Sequence, residues 1–266
     1  MFNKSNGSNS SNEVFATPHA NTPTPSTPMV PKQSTPGDNA GYLPFPNLKD
    51  VSANTTSSGS DHEQYYSVIF GTSITSGIDG DLMSRGARKV INVSGVGNKI
   101  YDIANSVHDF CLENSDIVSQ VDQVIVCIGA NDIKFFDSVK NNISKRFRKP
   151  LARLVKQLGL IFPSAQIIFK CVLPIGIMHS YTVKSVHDFN YLLLDICTQY
   201  GCIFMDCFKM FLDREGNGLN RDLYRDRIHI NDHGLKLLCR AIKFVIYNNV
   251  FNPYMRISHN DYYYYT

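Results

Sequence analysis

Val121-Asp-Gln-Val-Ile-Val-Cys-Ile-Gly-Ala-Asn-Asp132 is the stretch that decides the fold. Its apolar run, Val124 to Ile128, is nearly unbroken and stops at Gly129. A run of that kind reads as a β-strand buried on both faces rather than one with a wet side. Similar runs lie on either side of it. Upstream, Ser67-Val-Ile-Phe70 ends at Gly71, and Lys89-Val-Ile-Asn-Val93 leads into Ser94-Gly-Val-Gly97. Downstream, Gln166-Ile-Ile-Phe-Lys-Cys-Val172 stops before Pro174, and Cys202-Ile-Phe-Met205 is the last such run. Between them lie amphipathic stretches with helical spacing, near Ile100–Leu112, Ser138–Leu160, Val183–Tyr200 and Asp232–Asn249. Buried strands alternating with helices predict a three-layer α/β/α domain around a parallel sheet of about five strands. Right-handed crossovers bring the strand C-termini to one edge, where ligands bind in such sheets. The loops at Gly71, Gly97 and Gly129 should therefore line a single rim.

Outside this region the composition changes. Residues 1–63 are dominated by Asn, Ser, Thr, Pro and Gly, as in Asn21-Thr-Pro-Thr-Pro-Ser-Thr-Pro28. Such a chain buries too little apolar surface to offset its conformational entropy, so a disordered tail is expected there. Residues 64–252 are expected to form the folded domain, and 253–266, with Tyr262 to Tyr265, a flexible C-terminal tail. The net charge is +3. The tail, with Lys4, Lys32 and Lys49 against five acids, carries −2, which leaves +5 on the remainder. That surplus is too small to imply nucleic acid by itself. Seven cysteines without a CxxC pair point to reduced thiols. The N-terminus has no apolar leader and no run approaches the length of a membrane helix, so an intracellular, cytoplasmic protein with no membrane span is expected.

Each rim loop offers candidate chemistry. Gly71-Thr-Ser-Ile-Thr75 places Ser73 just past a strand, where a hydroxyl can face a ligand, although turn and cap serines are common. It is not a Gly-x-Ser-x-Gly elbow, because position 75 is Thr. The Ser94-Gly-Val-Gly97 loop resembles a dinucleotide turn only weakly: position 100, where a third glycine would fall, is Ile. Asn131 either caps the following helix or points its amide at an oxyanion. Late in the chain, Arg225-Asp-Arg-Ile-His-Ile-Asn-Asp-His-Gly234 sets Asp226 three residues before His229. That spacing lets a carboxylate fix the imidazole tautomer through Nδ1 and leave Nε2 as a base. His229 and His233 are four apart, as on a metal-binding helix face, but no further ligands accompany them, so no metal is expected.

Taken in order, strand–Gly-x-Ser, strand–Gly, strand–Gly-x-Asn-Asp and a late Asp-x-x-His resemble the SGNH (GDSL-type) hydrolase superfamily over about Tyr65 to Asn249. The resemblance implies a flavodoxin-like fold and a cofactor-free esterase, lipase or acetylhydrolase. It implies Ser73 as nucleophile, His229 as base and Asp226 as its orienting carboxylate. It also implies an oxyanion hole from the N–H of Ser73, the N–H of Gly97 and the amide of Asn131. One departure is visible: the usual Gly-Asp-Ser is here Gly71-Thr72-Ser73. A threonine hydroxyl replaces only part of an aspartate's hydrogen bonding.

Two further readings stand beside an ester substrate. From Ser138 to Lys156 the chain holds Lys140, Lys145, Arg146, Arg148, Lys149, Arg153 and Lys156 and no acid. This is ordinarily a solvated helix face, and its rival is a surface for phosphate or nucleic acid. Some domains resembling this superfamily bind RNA without turnover, and some occur in mobile-element proteins. The presence of all four sequence blocks favours the enzyme. Phe135, Phe136, Ile175, Ile177, Met178, Phe208 and Phe211 either line an acyl pocket or belong to the core.

Overall fold

A computed structural model describes residues 64–134, 136, 141–176, 180–216, 218–248 and 254–256. The expected tail at 1–63 lies outside the described residues, as do Phe135, Lys140, Ile177, Met178 and residues 257–266. Six strands form one sheet: β1 (Tyr65–Gly71), β2 (Arg88–Ser94), β3 (Val121–Val126), β4 (Gln166–Lys170), β5 (Ile203–Asp206) and β6 (Tyr254–Arg256). Their order is β2-β1-β3-β4-β5-β6 and every pairing is parallel. The first five have the flavodoxin-like order. The sixth corrects the expected boundary, since Tyr254–Arg256 falls inside the presumed C-terminal tail and pairs with β5 in the register Phe204↔Tyr254.

Helices α1 (Gly80–Met83), α2 (Ile100–Glu113), α3 (Ala130–Ile133), α4 (Ile143–Ile161), α5 (Ser180–Tyr200) and α6 (Asp232–Tyr247) complete the domain. Right-handed crossovers put α2, α4 and α5 on one face of the sheet and α1 on the other. α6 joins α1 there. Its Lys243 Nζ and Tyr247 OH donate to the carbonyls of Leu82 and Met83 at 2.6 and 2.9 Å, and Gln123 Nε2 of β3 donates to Ile246 O at 3.2 Å. Covering both faces explains the continuous apolar strands: Val68, Ile69, Phe70, Val124, Ile125 and Val126 are completely buried. On the α2/α4 side, Phe70 meets Phe110 edge-on at 5.7 Å and Phe162 at 6.4 Å. Ile175 and Phe211 belong to this core, so two of the candidate acyl-pocket residues are packing residues.

At the strand N-termini, Arg88 binds Asp122 through both terminal guanidinium nitrogens and donates to Ser67 Oγ at 2.9 Å. This end of the sheet is closed by charge, and the loops at the other end are free to carry chemistry. The seven cysteines are free thiols. Burial pushes the Cys127 thiol up to about 11, so it packs as a neutral group. No helix among the described residues is long and apolar enough to cross a membrane.

Candidate active site

The first rim loop is held by a hydroxyl, and it is not that of Ser73. Thr75 Oγ1 accepts from Thr72 N at 3.2 Å, and the backbone N–H groups of Thr75 and Ser76 both donate to Thr72 O at 3.0 Å. Ser73 is half-buried, and among the described residues its Oγ makes no hydrogen bond. The ordinary role of a turn or cap serine is thus taken by Thr75. Thr72 is buried, and its Oγ1 accepts one long bond from Ile74 N at 3.4 Å. A carboxylate there would offer two acceptor oxygens. The threonine supplies one weak contact and leaves most of the turn's bonding to Thr75.

The second loop is stitched to the first. Asn92 Nδ2 donates to the carbonyls of Thr75 and Ile78 at 2.9 Å each, and its Oδ1 accepts from Ser94 Oγ at 2.6 Å. Ser94 Oγ also lies 2.8 Å from Thr75 Oγ1. Gly95 N and Asn98 Nδ2 both donate to Gly71 O at 3.1 Å. Gly97 follows with φ +82°, a conformation that favours glycine, and a Cβ built there would meet nothing within 4 Å. Gly97 itself is exposed. The motifs alone assign no role to Asn92, Ser94 or Thr75.

The third loop turns at Gly129, which has φ +104° and lies against Phe189 and Val172. Asn131 sits inside α3 and does not cap it; its Nδ2 reaches across to Asn98 O at 3.1 Å. An amide nitrogen carries two N–H groups, and this bond uses one of them. Asp132, next along the chain, accepts from Ile100 N at 3.3 Å through Oδ1, while its buried Oδ2 has no partner. Burial raises its carboxyl from 3.8 to about 6, partly opposed by the Ile100 N–H and by Lys99.

The last loop is pinned before α6 begins. Tyr224 OH donates to Pro174 O at 2.8 Å, Gly176 N to Arg227 O at 2.8 Å, and Arg225 N to His229 O at 2.9 Å. Asn231 caps α6, accepting from His233 N and Gly234 N. Within this frame His229 Nδ1 lies 2.8 Å from Asp226 Oδ2. Asp226 Oδ1 accepts from the backbone N–H groups of Ile228 and His229 at 2.7 Å each. Desolvation alone would raise the Asp226 carboxyl; the N–H groups of His229 and Ile228 and the imidazole outweigh it and hold it at about 2. With Nδ1 bound to the carboxylate, Nε2 is the ring nitrogen left for a substrate or nucleophile. His229 precedes α6, so it shares no helical face with His233, and among the described residues no cluster suited to a metal ion occurs. An open depression of about 500 Å³ adjoins the pair, lined by Asp226, Arg227, Ile228 and His229. A second cavity, about 330 Å³, lies between α5 and β5 and includes Phe208, but none of the candidate catalytic or oxyanion residues.

A parallel sheet in this order, with rim loops ending in Gly-x-Ser, Gly and Gly-x-Asn-Asp and an Asp–His pair before the last helix, defines an SGNH-type hydrolase. The profile of the GDSL-like lipase/acylhydrolase family matches residues 69–237, and the chain belongs to that family. Its class of reaction is the hydrolysis of ester bonds. No curated protein sequence matches the chain. Among solved structures it resembles LAE5, an alpha/beta hydrolase enzyme from the metagenome of Lake Arreo, Spain, with 20% identity and a TM-score of 0.53 over 71% of this chain and 96% of that one. It also resembles the lipase/acylhydrolase from Enterococcus faecalis, with 20% identity and a TM-score of 0.52 over 69% and 95%. A variant of an acetyl-xylooligosaccharide esterase from Geobacillus matches with 19% identity and a TM-score of 0.51 over 67% and 92%. At these identities the three structures speak for the fold alone.

Proposed function

We propose that the protein is a serine esterase acting on short-chain or acetyl carboxylic esters through Ser73, His229 and Asp226. The observation that carries this reading is the 2.8 Å contact between His229 Nδ1 and Asp226 Oδ2 in a loop tied down on both sides. In the proposed reaction His229 Nε2 takes the proton of Ser73 Oγ as that oxygen attacks the ester carbonyl. The N–H groups of Ser73 and Gly97 and the remaining N–H of Asn131 receive the oxyanion. Losing one such donor costs about 3–4 kcal/mol in the barrier. Asp226 holds the ring and stabilises the imidazolium. Protonated His229 then gives its proton to the departing alcohol, and a water activated by the same nitrogen hydrolyses the acyl-serine. No cofactor takes part in this scheme.

The test is hydrolysis of p-nitrophenyl acetate together with labelling by a fluorophosphonate. Wild type is expected to turn over the ester and to be labelled at Ser73, and Ser73→Ala to do neither. Folded wild-type protein indistinguishable from Ser73→Ala in both assays would sink the reading.

A further inference from the structure

Helix α4 carries more positive charge than the fold uses. Lys145, Arg146, Arg148, Lys149, Arg153 and Lys156 are all exposed, and the helix contains no acid. Only Arg148 is engaged, by Asp195 of α5 and Ser144 Oγ. The side chains of the other five make no ion pair or hydrogen bond among the described residues. Neighbouring helices do not neutralise them. Both carboxylates of α5 are taken, Asp188 by Lys184 at 2.5 Å and Asp195 by Arg148. Of the three acids on α2, Asp102 accepts from Lys99 N at 2.9 Å at its own helix start, Asp109 lies beside His108, and among the described residues neither Asp109 nor Glu113 forms an ion pair with α4.

The five free cations are also aligned. At about 100° per residue, Lys145, Lys149, Lys156, Arg153 and Arg146 fall within about 100° of the helix circumference. The opposite side, with Ile143, Phe147, Leu151, Leu154, Val155 and Leu158, is buried in the core. From Lys145 to Lys156 the ridge runs about 16 Å at a rise of ~1.5 Å per residue. Each strand of a duplex presents one phosphate per about 3.4 Å of helix axis, so a ridge of this length spans the axial rise of about five of them.

We infer that the outer face of α4 is a docking surface for the phosphodiester backbone of a nucleic acid, bound through charge and without base readout. Five unneutralised like charges in one row raise the electrostatic cost of the free protein, and a row of phosphates removes it. A lipid surface fits less well. Helices that lie in a membrane interface bury an apolar face there. Here that face is committed to the core, and the exposed side of α4 offers only Leu160, near the far end of the ridge. This surface is independent of the esterase chemistry, and its test does not pass through Ser73.

The test uses the full chain and fluorescence anisotropy with labelled single-stranded and duplex oligonucleotides of mixed sequence, titrated at several salt concentrations. Five neutralised phosphates give a slope of log Kobs against log salt of about −4.5 for duplex and −3.5 for single strands. Raising salt from about 50 to 200 mM should then weaken binding on the order of 10²–10³-fold. The variant carrying Lys145→Gln, Lys149→Gln, Arg153→Gln and Lys156→Gln changes only exposed positions to a good helix former. It is expected to bind at least tenfold more weakly at low salt, with a slope near −1, and to hydrolyse p-nitrophenyl acetate like wild type. Variant binding equal to wild type, or a wild-type slope shallower than −1, overturns the inference. So does wild type that sediments with phosphatidylserine vesicles and leaves both oligonucleotides unbound.

Discussion

Asp132→Asn isolates one ionisation that the packing of the third loop makes costly. Asp132 holds Ile100 N with one oxygen, and its other oxygen is buried without a partner. Its carboxyl therefore rises from 3.8 to about 6. A group whose folded pKa is raised adds stability in full below its unfolded pKa and loses it as pH climbs through the folded one. The window here is thus pH 3.8 to about 6. About two pH units at ~1.36 kcal/mol each give a swing on the order of 3 kcal/mol. Wild type should lose that increment between pH 4 and pH 7, and Asp132→Asn, which cannot ionise, should not. The asparagine leaves a buried amide unsatisfied, which offsets its stability by a constant at every pH. Only the pH-dependent difference between the two proteins matters. Urea unfolding at half-unit steps from pH 4 to 7 measures it, and 3 kcal/mol corresponds to a midpoint difference of about 1–2 M. Stability curves that run parallel for the two proteins across this range would refute the reasoning, because they would mean that Asp132 is hydrated or partnered.

Gly129→Ala puts a Cβ 2.3 Å from Phe189 Cε1 and 2.7 Å from Val172 Cγ2 on a backbone at φ +104°. The left-handed conformation costs roughly 1–2 kcal/mol and the overpacking a further 1–3. A drop in Tm of about 5–15 °C is expected in a thermal melt, and a loss under about 1 kcal/mol would contradict the packing described. Asp226→Asn should lower kcat/KM for p-nitrophenyl acetate by on the order of 10³–10⁴ with the fold unchanged by circular dichroism. Because Asp226 keeps its charge down to about pH 2, any acid limb of the wild-type rate profile between pH 4 and 7 is not its titration. A decrease smaller than about tenfold would remove Asp226 from the machinery.

Five strands were legible because each holds an apolar run bounded by glycine or proline; β1, β3, β4 and β5 are buried along most of their length, and the edge strand β2 buries only Val90. β6 was not: Tyr254–Arg256 has no such run and lies directly after Pro253, and its pairing depends on the free edge of β5. α1 escaped notice because four residues carry no periodicity. In the site, Asp226 and His229 were readable because their contact is local and three residues wide. The bonds that join the first two loops were not readable. Thr75 and Ser94 are nineteen residues apart, and only the parallel register of β1 and β2 makes them neighbours. The burial of Asp132 is likewise a product of tertiary packing, invisible in the motif that contains it. Phe211 and Ile175 carried the same hydrophobic signal whether they lined a pocket or filled the core, and only the packed fold separates the two.

The parallel pairing of β6 with β5 has a practical consequence. β1 enters the sheet at Tyr65, at the end closed by Arg88 and Asp122, whereas β6 leaves it at Arg256, beside Asp206, on the rim that carries the loops of Ser73, Gly97 and Asn131. The domain thus has a handle and a mouth. An affinity tag or surface linkage placed ahead of Tyr65 would anchor it by the handle and leave the mouth open. The same attachment just after Arg256 would start on the side of the proposed catalytic residues.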